Sequence, residues 1–166
     1  MRQTIYLAGG CFWGVQKYLD QFQGIQETTV GYANGKTAHP TYEEVKSQQS
    51  GHSETVKVDY ENQEISLEKI LNYYYRVIDP VSLNKQGEDE GISYRTGIYY
   101  VNEDDLEIIN KVTQEVQKKY DEPLAVEILP LQNFYTAEEY HQKYLEKNPT
   151  GYCHINIAMM HLGEDQ

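Results

Sequence analysis

The architecture follows from one short segment near the start of the chain, Thr4-Ile5-Tyr6-Leu7-Ala8-Gly9-Gly10-Cys11-Phe12-Trp13-Gly14. Residues 4–8 form a brief apolar run that stops at two glycines, which is typical of a buried strand. Apolar and aromatic residues then recur at helical spacing over residues 12–22. The segment therefore predicts a strand, a Gly-Gly turn and a helix, with Cys11 at the start of that helix.

Strands and helices follow outward from this unit without a regular alternation of the two. Strands are predicted over residues 27–32, 54–60, 93–101 and 124–129, and helices over residues 40–45, 67–78, 103–120 and 137–147. Polar and apolar residues alternate over residues 54–60, so that strand is expected to be half-buried. Residues 82–91 are expected to form a loop, and the tail after Gly151 to be irregular. This mixture favours an α+β fold with a mixed sheet, and the lack of a repeat or linker predicts a single domain over residues 1–166.

The composition is that of an acidic globular protein. Of the 166 residues, 39% are hydrophobic, and 14 Lys and Arg oppose 26 Asp and Glu, which gives a net charge of −12. This charge repels phosphate backbones and anionic lipids, so we expect no nucleic acid or membrane surface as a partner. No apolar run approaches the roughly 20 residues of a membrane span. The apolar residues before Cys11 are also fewer than the about 7–15 that a signal peptide needs, so we expect a cytoplasmic protein.

Cys11 and Cys153 are the two cysteines of the chain, too few for a disulfide-stapled secreted domain. At the start of a helix, backbone N–H groups lower the pKa of a thiol, whereas the neighbouring Phe12 and Trp13 exclude water and raise it. Position alone leaves open a reactive thiolate and an inert buried thiol. A cysteine-phosphatase loop is excluded because the sixth residue after Cys11 is Lys17 and not the arginine that grips phosphate.

The second cysteine and the histidines lack the spacing of a metal site. Cys153 follows Pro149 and Gly151, in the kind of flexible stretch that a thiol must occupy if it is to reach Cys11. No Cys-x2-Cys pair is present, and the histidines fit no His-x3–5-His or His-Glu-x-x-His pattern. They lie at positions 39, 52, 141, 154 and 161. We therefore expect no metal and no prosthetic cofactor.

A series of motifs in fixed order resembles one known family. The pentapeptide Gly10-Cys11-Phe12-Trp13-Gly14 resembles the signature of the A-type peptide methionine sulfoxide reductases. The family's further blocks are matched by Gly31-Tyr32-Ala33-Asn34-Gly35, Pro40-Thr41-Tyr42-Glu43-Glu44-Val45, Gly51-His52-Ser53-Glu54, Asp79-Pro80, residues 84–91, Tyr94-Arg95, Ala137-Glu138-Glu139-Tyr140-His141-Gln142 and residues 148–153. The resemblance covers residues 4 to about 157. A small departure is Asn34, where the family more often has Gly, and Asn tolerates a left-handed turn.

The resemblance implies a reaction and the groups that perform it. The family reduces the S epimer of methionine sulfoxide, free or within proteins, to methionine. Cys11 would attack the sulfoxide sulfur while Glu54 protonates the oxygen, and a Glu54 held between apolar walls would keep its proton near neutral pH. Tyr42 and Tyr94 would hydrogen-bond the same oxygen as charge develops on it.

The resemblance also implies a substrate pocket and a fold. Phe12 and Trp13 would receive the methyl group of the substrate, since sulfur–aromatic contacts are mildly favourable. Asp89 would shape the polar rim of the pocket, and Tyr152 would join it in binding the substrate. The implied fold is a two-layer α/β sandwich with a ferredoxin-like core.

A catalytic cycle and its partners follow from the same resemblance. Release of methionine would leave Cys11 as a sulfenic acid, which Cys153 would convert into a disulfide. Thioredoxin would then reduce that disulfide and restore both thiols. The expected partners are thioredoxin, oxidised proteins that need repair and free methionine sulfoxide, and we expect the enzyme to be a monomer.

Two other functions stay open at this point. In a non-catalytic redox sensor or methionine-binding module, the thiols would switch state once and recruit a partner. A thiol hydrolase would pair Cys11 with an imidazole, for which His141 is the candidate. Judged without the resemblance, Glu54 is a solvated charge at a strand start, and His141 and Tyr144 are packing residues on one helix face.

Overall fold

The computed structural model describes residues 1–153 and residue 155. Its strands are β1 (Arg2–Gly9), β2 (Ile25–Ala33), β3 (Ser53–Glu61), β4 (Lys85–Gln86), β5 (Asp89–Glu90), β6 (Thr96–Tyr100), β7 (Glu127–Pro130) and β8 (Phe134–Thr136). Its helices are α1 (Phe12–Asp20), α2 (Tyr42–Lys46), α3 (Leu67–Val77), α4 (Asp105–Gln117) and α5 (Tyr144–Lys147), with 3-10 turns at Ile92–Tyr94 and Glu139–His141. No helix in this part of the chain is long and apolar enough to cross a membrane.

Six strands form one sheet in the order β7-β6-β1-β3-β2-β8, and β4 pairs with β5 separately. The β6 and β7 strands run parallel, whereas the other neighbours in the sheet are antiparallel. In the central four strands, the units β1-α1-β2 and β3-α3-β6 interleave, which is the β-α-β-β-α-β arrangement of ferredoxin-like folds. The predicted α+β class, the mixed sheet and the ferredoxin-like core are confirmed.

The helices α1 and α3 cover one face of the sheet and bury the main core. Gly9 of β1 faces both helices. A side chain at this position would contact Val15 of α1, Tyr74 of α3 and Ile78, the residue that follows α3. The Tyr74 hydroxyl donates to the backbone carbonyl of Ala8 at 2.6 Å, which ties α3 to β1. The buried cluster between the two layers is built from aliphatic and aromatic side chains.

The β3 strand is buried on both faces, so the prediction of a half-buried strand is wrong. It lies between β1 and β2 in the middle of the sheet. A second, smaller cluster covers the face away from the helices and includes Tyr6, Ala8, Ala33, Tyr99, Leu131 and Phe134. The alternating residues of β3 therefore face two buried environments, the main core on one side of the sheet and the smaller cluster on the other. Polar residues on β3 are buried too, and Asp59 accepts a hydrogen bond from Thr4 at 2.6 Å.

The single helix predicted over residues 137–147 is broken into a 3-10 turn and α5. Gln142 and Lys143 separate the two pieces, and Lys143 has a left-handed φ of 55°. The Gln142 side chain accepts from the Val30 N–H at 3.0 Å and donates to the Val30 carbonyl at 2.9 Å. The Lys143 N–H donates to Gln16 at 2.8 Å instead of to a helix carbonyl. Hydrogen bonds to β2 and α1 have replaced those of a continuous helix.

Three smaller features also differ from the predictions. The strand expected from residue 93 begins at Thr96, because a 3-10 turn occupies the preceding residues. The loop expected over residues 82–91 contains the short β4–β5 pair. The three-residue β8 was not predicted. Residues 151–153 form no helix or strand, and the rest of the tail that we predicted to be irregular lies outside the described residues apart from Ile155.

Candidate active site

Cys11 is held by the turn between β1 and α1. Gly10 has a φ of 86°, in the left-handed region that favours glycine, and it directs the chain from the sheet into the helix. Cys11 is the residue immediately before α1 and is 7% exposed. Its thiol is free. The sequence therefore places a thiol inside the molecule at the start of a helix, as the Gly-Gly-Cys pattern predicted.

Burial determines the protonation of Cys11, which the sequence left open. It raises the pKa of the thiol well above its ordinary value, and the charge of Glu54 raises that pKa further. A hydrogen bond from the Trp13 backbone N–H lowers the pKa but does not outweigh burial. Without substrate, Cys11 is therefore a protonated thiol at neutral pH.

Glu54 lies at the start of β3 and is 2% exposed, so it is not a solvated edge charge. Its Oε1 accepts a hydrogen bond from the Phe12 backbone N–H at 3.1 Å. Burial raises the pKa of Glu54 to about 8 against the effect of that bond, with a further rise from Asp89 and an opposing effect of Lys46. At neutral pH the carboxyl group therefore holds a proton, which is what a general acid requires.

Tyr42 on α2 and Tyr94 in the 3-10 turn before β6 belong to the same group of side chains. Burial raises the pKa of both hydroxyls, and the charge of Glu54 is the next cause for each of them. The charge of Cys11 adds to both shifts. Two phenolic donors thus share the surroundings of the buried thiol and the buried acid, and both stay protonated.

Side-chain hydrogen bonds fix the two elements that carry these tyrosines. At the start of α2, Thr41 accepts from the Glu44 N–H at 3.2 Å and Glu44 accepts from the Thr41 N–H at 3.1 Å, which is a capping box. Beyond the end of α2, Gln48 accepts from the Ser93 N–H at 2.8 Å and donates to the Ser93 hydroxyl at 2.9 Å. Gln48 therefore ties α2 to the turn that contains Tyr94.

Phe12 and Trp13 follow Cys11 directly in the chain, and their environments differ. Trp13 is partly exposed, stacks on Tyr144 with ring centroids 3.8 Å apart, and donates from Nε1 to His141 Nδ1 at 3.0 Å. Phe12 is 1% exposed and packs against Tyr32 and His141 with centroid distances of 5.8 and 5.3 Å. The partly exposed ring of Trp13 is accessible to a ligand, whereas the ring of Phe12 is buried in the core.

The position of His141 argues against the thiol hydrolase. Its Nδ1 accepts the Trp13 bond, and burial lowers the pKa of the imidazole. Within the described residues, no hydrogen bond joins His141 to Cys11. Apart from the thiol hydrolase, sequence reasoning gave His141 and Tyr144 only a packing role. Their contacts with Trp13 could not be found by spacing, since the two partners of the hydrogen bond are 128 positions apart.

Asp89 and Tyr152 influence each other electrostatically. Burial together with the charge of Asp89 raises the pKa of Tyr152 to about 12. The charge of Asp89 also raises the pKa of Cys11, Glu54 and Tyr94. Tyr152 is 42% exposed. Both residues therefore lie within electrostatic reach of Cys11, and their role at the rim of a substrate pocket stays a prediction.

Cys153 is half-buried, and its thiol is free. Its sulfur accepts a hydrogen bond from the Ile155 N–H at 3.4 Å. Burial raises the pKa of Cys153, and the Ile155 bond and the charge of Lys17 oppose that rise. Because the charge of Cys153 is among the causes that raise the pKa of Cys11, the two thiols lie within electrostatic reach of each other. In the described part of the chain, no group of three or more His, Cys, Asp or Glu side chains could hold a metal ion.

Comparison with known sequences identifies close relatives. A family model described as peptide methionine sulfoxide reductase matches residues 3–164. A protein of Lachnoclostridium phytofermentans, named peptide methionine sulfoxide reductase MsrA, is 59% identical over 155 residues. These residues are 93% of this chain and 93% of that relative. A protein of the same name from Clostridium acetobutylicum is 54% identical over 153 residues, which are 92% of this chain and 94% of that relative.

Solved structures agree with the sequences. The crystal structure of Mxr1 from Saccharomyces cerevisiae in reduced form has a TM-score of 0.87 and 38% sequence identity, and the match covers 92% of this chain and 88% of Mxr1. Mxr1 in complex with Trx2 has a TM-score of 0.63 and 28% identity, over 86% of this chain and 84% of that one. Together with a buried thiol beside a protonated carboxyl group, these matches show that the chain belongs to the peptide methionine sulfoxide reductases, a family of oxidoreductases.

Proposed function

We propose that this enzyme reduces methionine S-sulfoxide, free or within proteins, to methionine by a thiol mechanism. The observation that carries the proposal is the arrangement of Cys11 and Glu54. The Phe12 N–H, one residue after the thiol, donates to the Glu54 carboxyl group at 3.1 Å, and the pKa of that group is raised to about 8. A nucleophile and a proton donor are thus fixed relative to each other by the backbone of α1.

In the first step, Cys11 sulfur attacks the sulfoxide sulfur and Glu54 gives its proton to the sulfoxide oxygen, while the proton that the Cys11 thiol loses restores the Glu54 acid. Tyr42 and Tyr94 donate hydrogen bonds to that oxygen, and Trp13 contacts the methyl group. The oxygen is transferred to Cys11, which becomes a sulfenic acid, while the substrate leaves as methionine with its sulfur reduced by two electrons.

In the second step, the Cys153 thiol attacks the sulfenic acid of Cys11. A disulfide forms and water leaves with the oxygen. A dithiol then reduces the disulfide by exchange, and we propose thioredoxin for this role, in line with the complex of the related Mxr1 with Trx2. We further propose that residues 1–166 act as one domain and as a monomer in a reducing cytoplasm, with no prosthetic cofactor, and that Phe12, Asp89 and Tyr152 complete the substrate site.

The test is to incubate the enzyme with each epimer of methionine sulfoxide and excess dithiothreitol, and to measure methionine. We expect repeated turnover of the S epimer, none of the R epimer, and none of either with Cys11→Ser. Equal turnover of both epimers would refute the stereochemical assignment. One methionine per enzyme molecule, despite excess reductant, would identify a redox sensor instead of a reductase.

A further inference from the structure

We propose that Glu138 is a positioning residue for the reductase step, which acts by fixing the place of Tyr42 relative to Glu54. This inference rests on the role proposed above for Tyr42. One carboxylate oxygen of Glu138 accepts the backbone N–H of Tyr42 at 3.0 Å, and the other accepts the hydroxyl of Tyr32 at 2.8 Å. A single side chain therefore connects α2 to the sheet.

The partner in the sheet is adjacent to the acid itself. Tyr32 on β2 is directly opposite Glu54 on β3 in the antiparallel register. Side chains of directly opposite residues lie side by side on one face of a sheet. Tyr32 is also 0% exposed, and its ring packs against Phe12, whose N–H bonds to Glu54. The Tyr32 hydroxyl is thus a fixed reference point within the site.

The Tyr42 ring packs against His141 with centroids 4.4 Å apart, and Gln48 ties the far end of α2 to the turn before β6. Tyr42 is the first residue of α2, a helix of five residues. Helices this short are not stable alone, because too few hydrogen bonds offset the cost of ordering the backbone. The capping box formed by Thr41 and Glu44 closes the helix on itself but does not connect it to the sheet. Glu138 hydrogen-bonds the backbone of Tyr42 itself, the residue that carries the phenol, and links it to Tyr32 on β2.

The bonds of Glu138 are those of a charged acceptor. Burial raises the pKa of its carboxyl group. The bonds from the Tyr42 N–H, from its own N–H and from the Tyr32 hydroxyl, together with the charge of His141, outweigh this effect, and the pKa is lowered overall. The group is therefore a carboxylate at neutral pH, and hydrogen bonds to a charged acceptor are shorter and stronger than neutral ones. An amide at this position would turn an N–H group towards one of the two donors.

The first experiment compares Glu138→Gln with Glu139→Gln, which removes the same charge from the exposed neighbouring residue. Single-turnover formation of methionine is measured at several sulfoxide concentrations, and the melting temperature is recorded for each variant. We expect Glu138→Gln to lower the maximal rate by about tenfold with little change in the concentration for half-maximal rate. Glu139→Gln should match the wild type. Equal rates for the two variants would overturn the proposal.

A double-mutant cycle separates positioning from a general loss of structure. In a Tyr42→Phe background, Glu138→Gln should have little further effect, because the hydroxyl that it positions is gone. In a Tyr94→Phe background it should keep its full effect. Losses that multiply in both backgrounds would show a structural role only and would overturn the proposal.

Two further variants keep the outcome decisive. If Glu138→Gln does not fold, Tyr32→Phe removes only the link to the sheet, and it should slow the same step by a smaller factor. An unchanged maximal rate in folded Tyr32→Phe would then overturn the inference.

Tyr42→Phe alone tests the proposed function. A normal rate in that variant removes Tyr42 from the mechanism, whereas a slow Tyr42→Phe with a normal Glu138→Gln refutes the positioning role alone.

Discussion

Cys11 and Glu54 are ionisable groups that burial shifts in the same direction. The pKa of each is raised, so both hold their protons at neutral pH. A charged Glu54 raises the pKa of Cys11 further, and the thiolate therefore forms most easily while Glu54 is neutral. A neutral Glu54 therefore does not oppose formation of the Cys11 thiolate, and it still has a proton to give.

Replacement of Glu54 by Gln should slow single-turnover formation of methionine by about 10²–10⁴-fold, because an amide cannot act as a general acid. The amide oxygen can still accept the Phe12 N–H, so the fold should survive. The wild-type rate should fall as the pH rises above about 8, and the variant should lose this decline. Rapid-quench measurements between pH 6 and 10 test both points. With the exposed Glu64→Gln as control, a Glu54→Gln rate within twofold of wild type would remove Glu54 from the mechanism.

Stability should depend on pH through the same carboxyl group. Its ordinary pKa of 4.5 applies to the unfolded chain and a pKa of about 8 to the folded one, so the folded state binds the proton more tightly. The resulting stabilisation is complete below pH 4.5 and is lost as the pH rises to about 8. Relative to wild type, Glu54→Gln should therefore gain stability between pH 5 and pH 8 in urea unfolding. A difference that does not change with pH would contradict a raised pKa.

Substitution of Trp13 should affect substrate capture. Trp13→Ala removes the partly exposed ring that stacks on Tyr144 and is expected to raise the KM for the sulfoxide by about tenfold. Trp13→Phe keeps an aromatic surface and loses the hydrogen bond to His141, so its effect should be smaller. Steady-state kinetics with dithiothreitol, on variants that retain a cooperative melting transition, give the comparison. Unchanged kinetics in Trp13→Ala would place the methyl pocket elsewhere.

At the scale of residues, the sequence predicts the functional residues that lie within recognisable motifs. It misses contacts between residues that are distant in the chain and adjacent only in the fold. The Gly-Gly-Cys pattern placed Cys11 before a helix, and the family motifs marked Glu54, Tyr42 and Tyr94. No periodicity links Glu138 to Tyr32, which are 106 positions apart. The net pKa shift of Cys11 was also beyond the sequence, because it depends on how much water the folded protein excludes.

Among the elements, α2 connects local stability to catalysis most directly. Thr41→Ala removes the cap of α2, and Ser66→Ala removes the cap of α3, where Ser66 accepts the Lys69 N–H at 3.1 Å. Each change should cost about 0.5–2 kcal/mol of stability. Only Thr41→Ala should also slow the reductase step, because α2 carries Tyr42.

Urea unfolding and single-turnover kinetics on both variants provide the measurement. The Ser66→Ala variant serves as the control for loss of a helix cap remote from the site. If both variants slow methionine formation by the same factor, the effect reflects general destabilisation and α2 has no special role in holding Tyr42.

Periodicity identified most elements because most are packed by one apolar face. The clearest example is α4, which buries Ile109, Val112 and Val116 along one face. The broken helix over residues 137–147 has its cause in a polar side chain that bonds to distant backbone groups. Gln142 binds both backbone groups of Val30 and ends a helix that its neighbours favour. Such bonds form between distant parts of the chain and leave no local signal.

At the scale of the whole molecule, the two thiols come from opposite ends of the chain and should fail in different ways. Cys11→Ser should form no methionine with any reductant. Cys153→Ser should form about one methionine per molecule with thioredoxin and then stop, since thioredoxin acts by exchange on a disulfide that this variant cannot make. Dithiothreitol, a small thiol, should partly restore turnover.

Mass spectrometry after a single turnover should show one added oxygen on Cys11 in the Cys153→Ser protein. The wild type treated in the same way should instead lose two hydrogens as the disulfide forms. Sustained turnover of Cys153→Ser with thioredoxin would show that Cys153 does not resolve the sulfenic acid.

The aliphatic and aromatic make-up of the core has a consequence for an enzyme that meets oxidants. Methionine occurs at positions 1, 159 and 160 only, and Met1, the one among the described residues, is 74% exposed. Oxidation of a buried methionine makes an apolar side chain polar and disrupts the core around it. Between positions 2 and 153 there is no methionine to be damaged in this way. The buried core that residues 2–153 form therefore offers no site for the lesion that the enzyme removes.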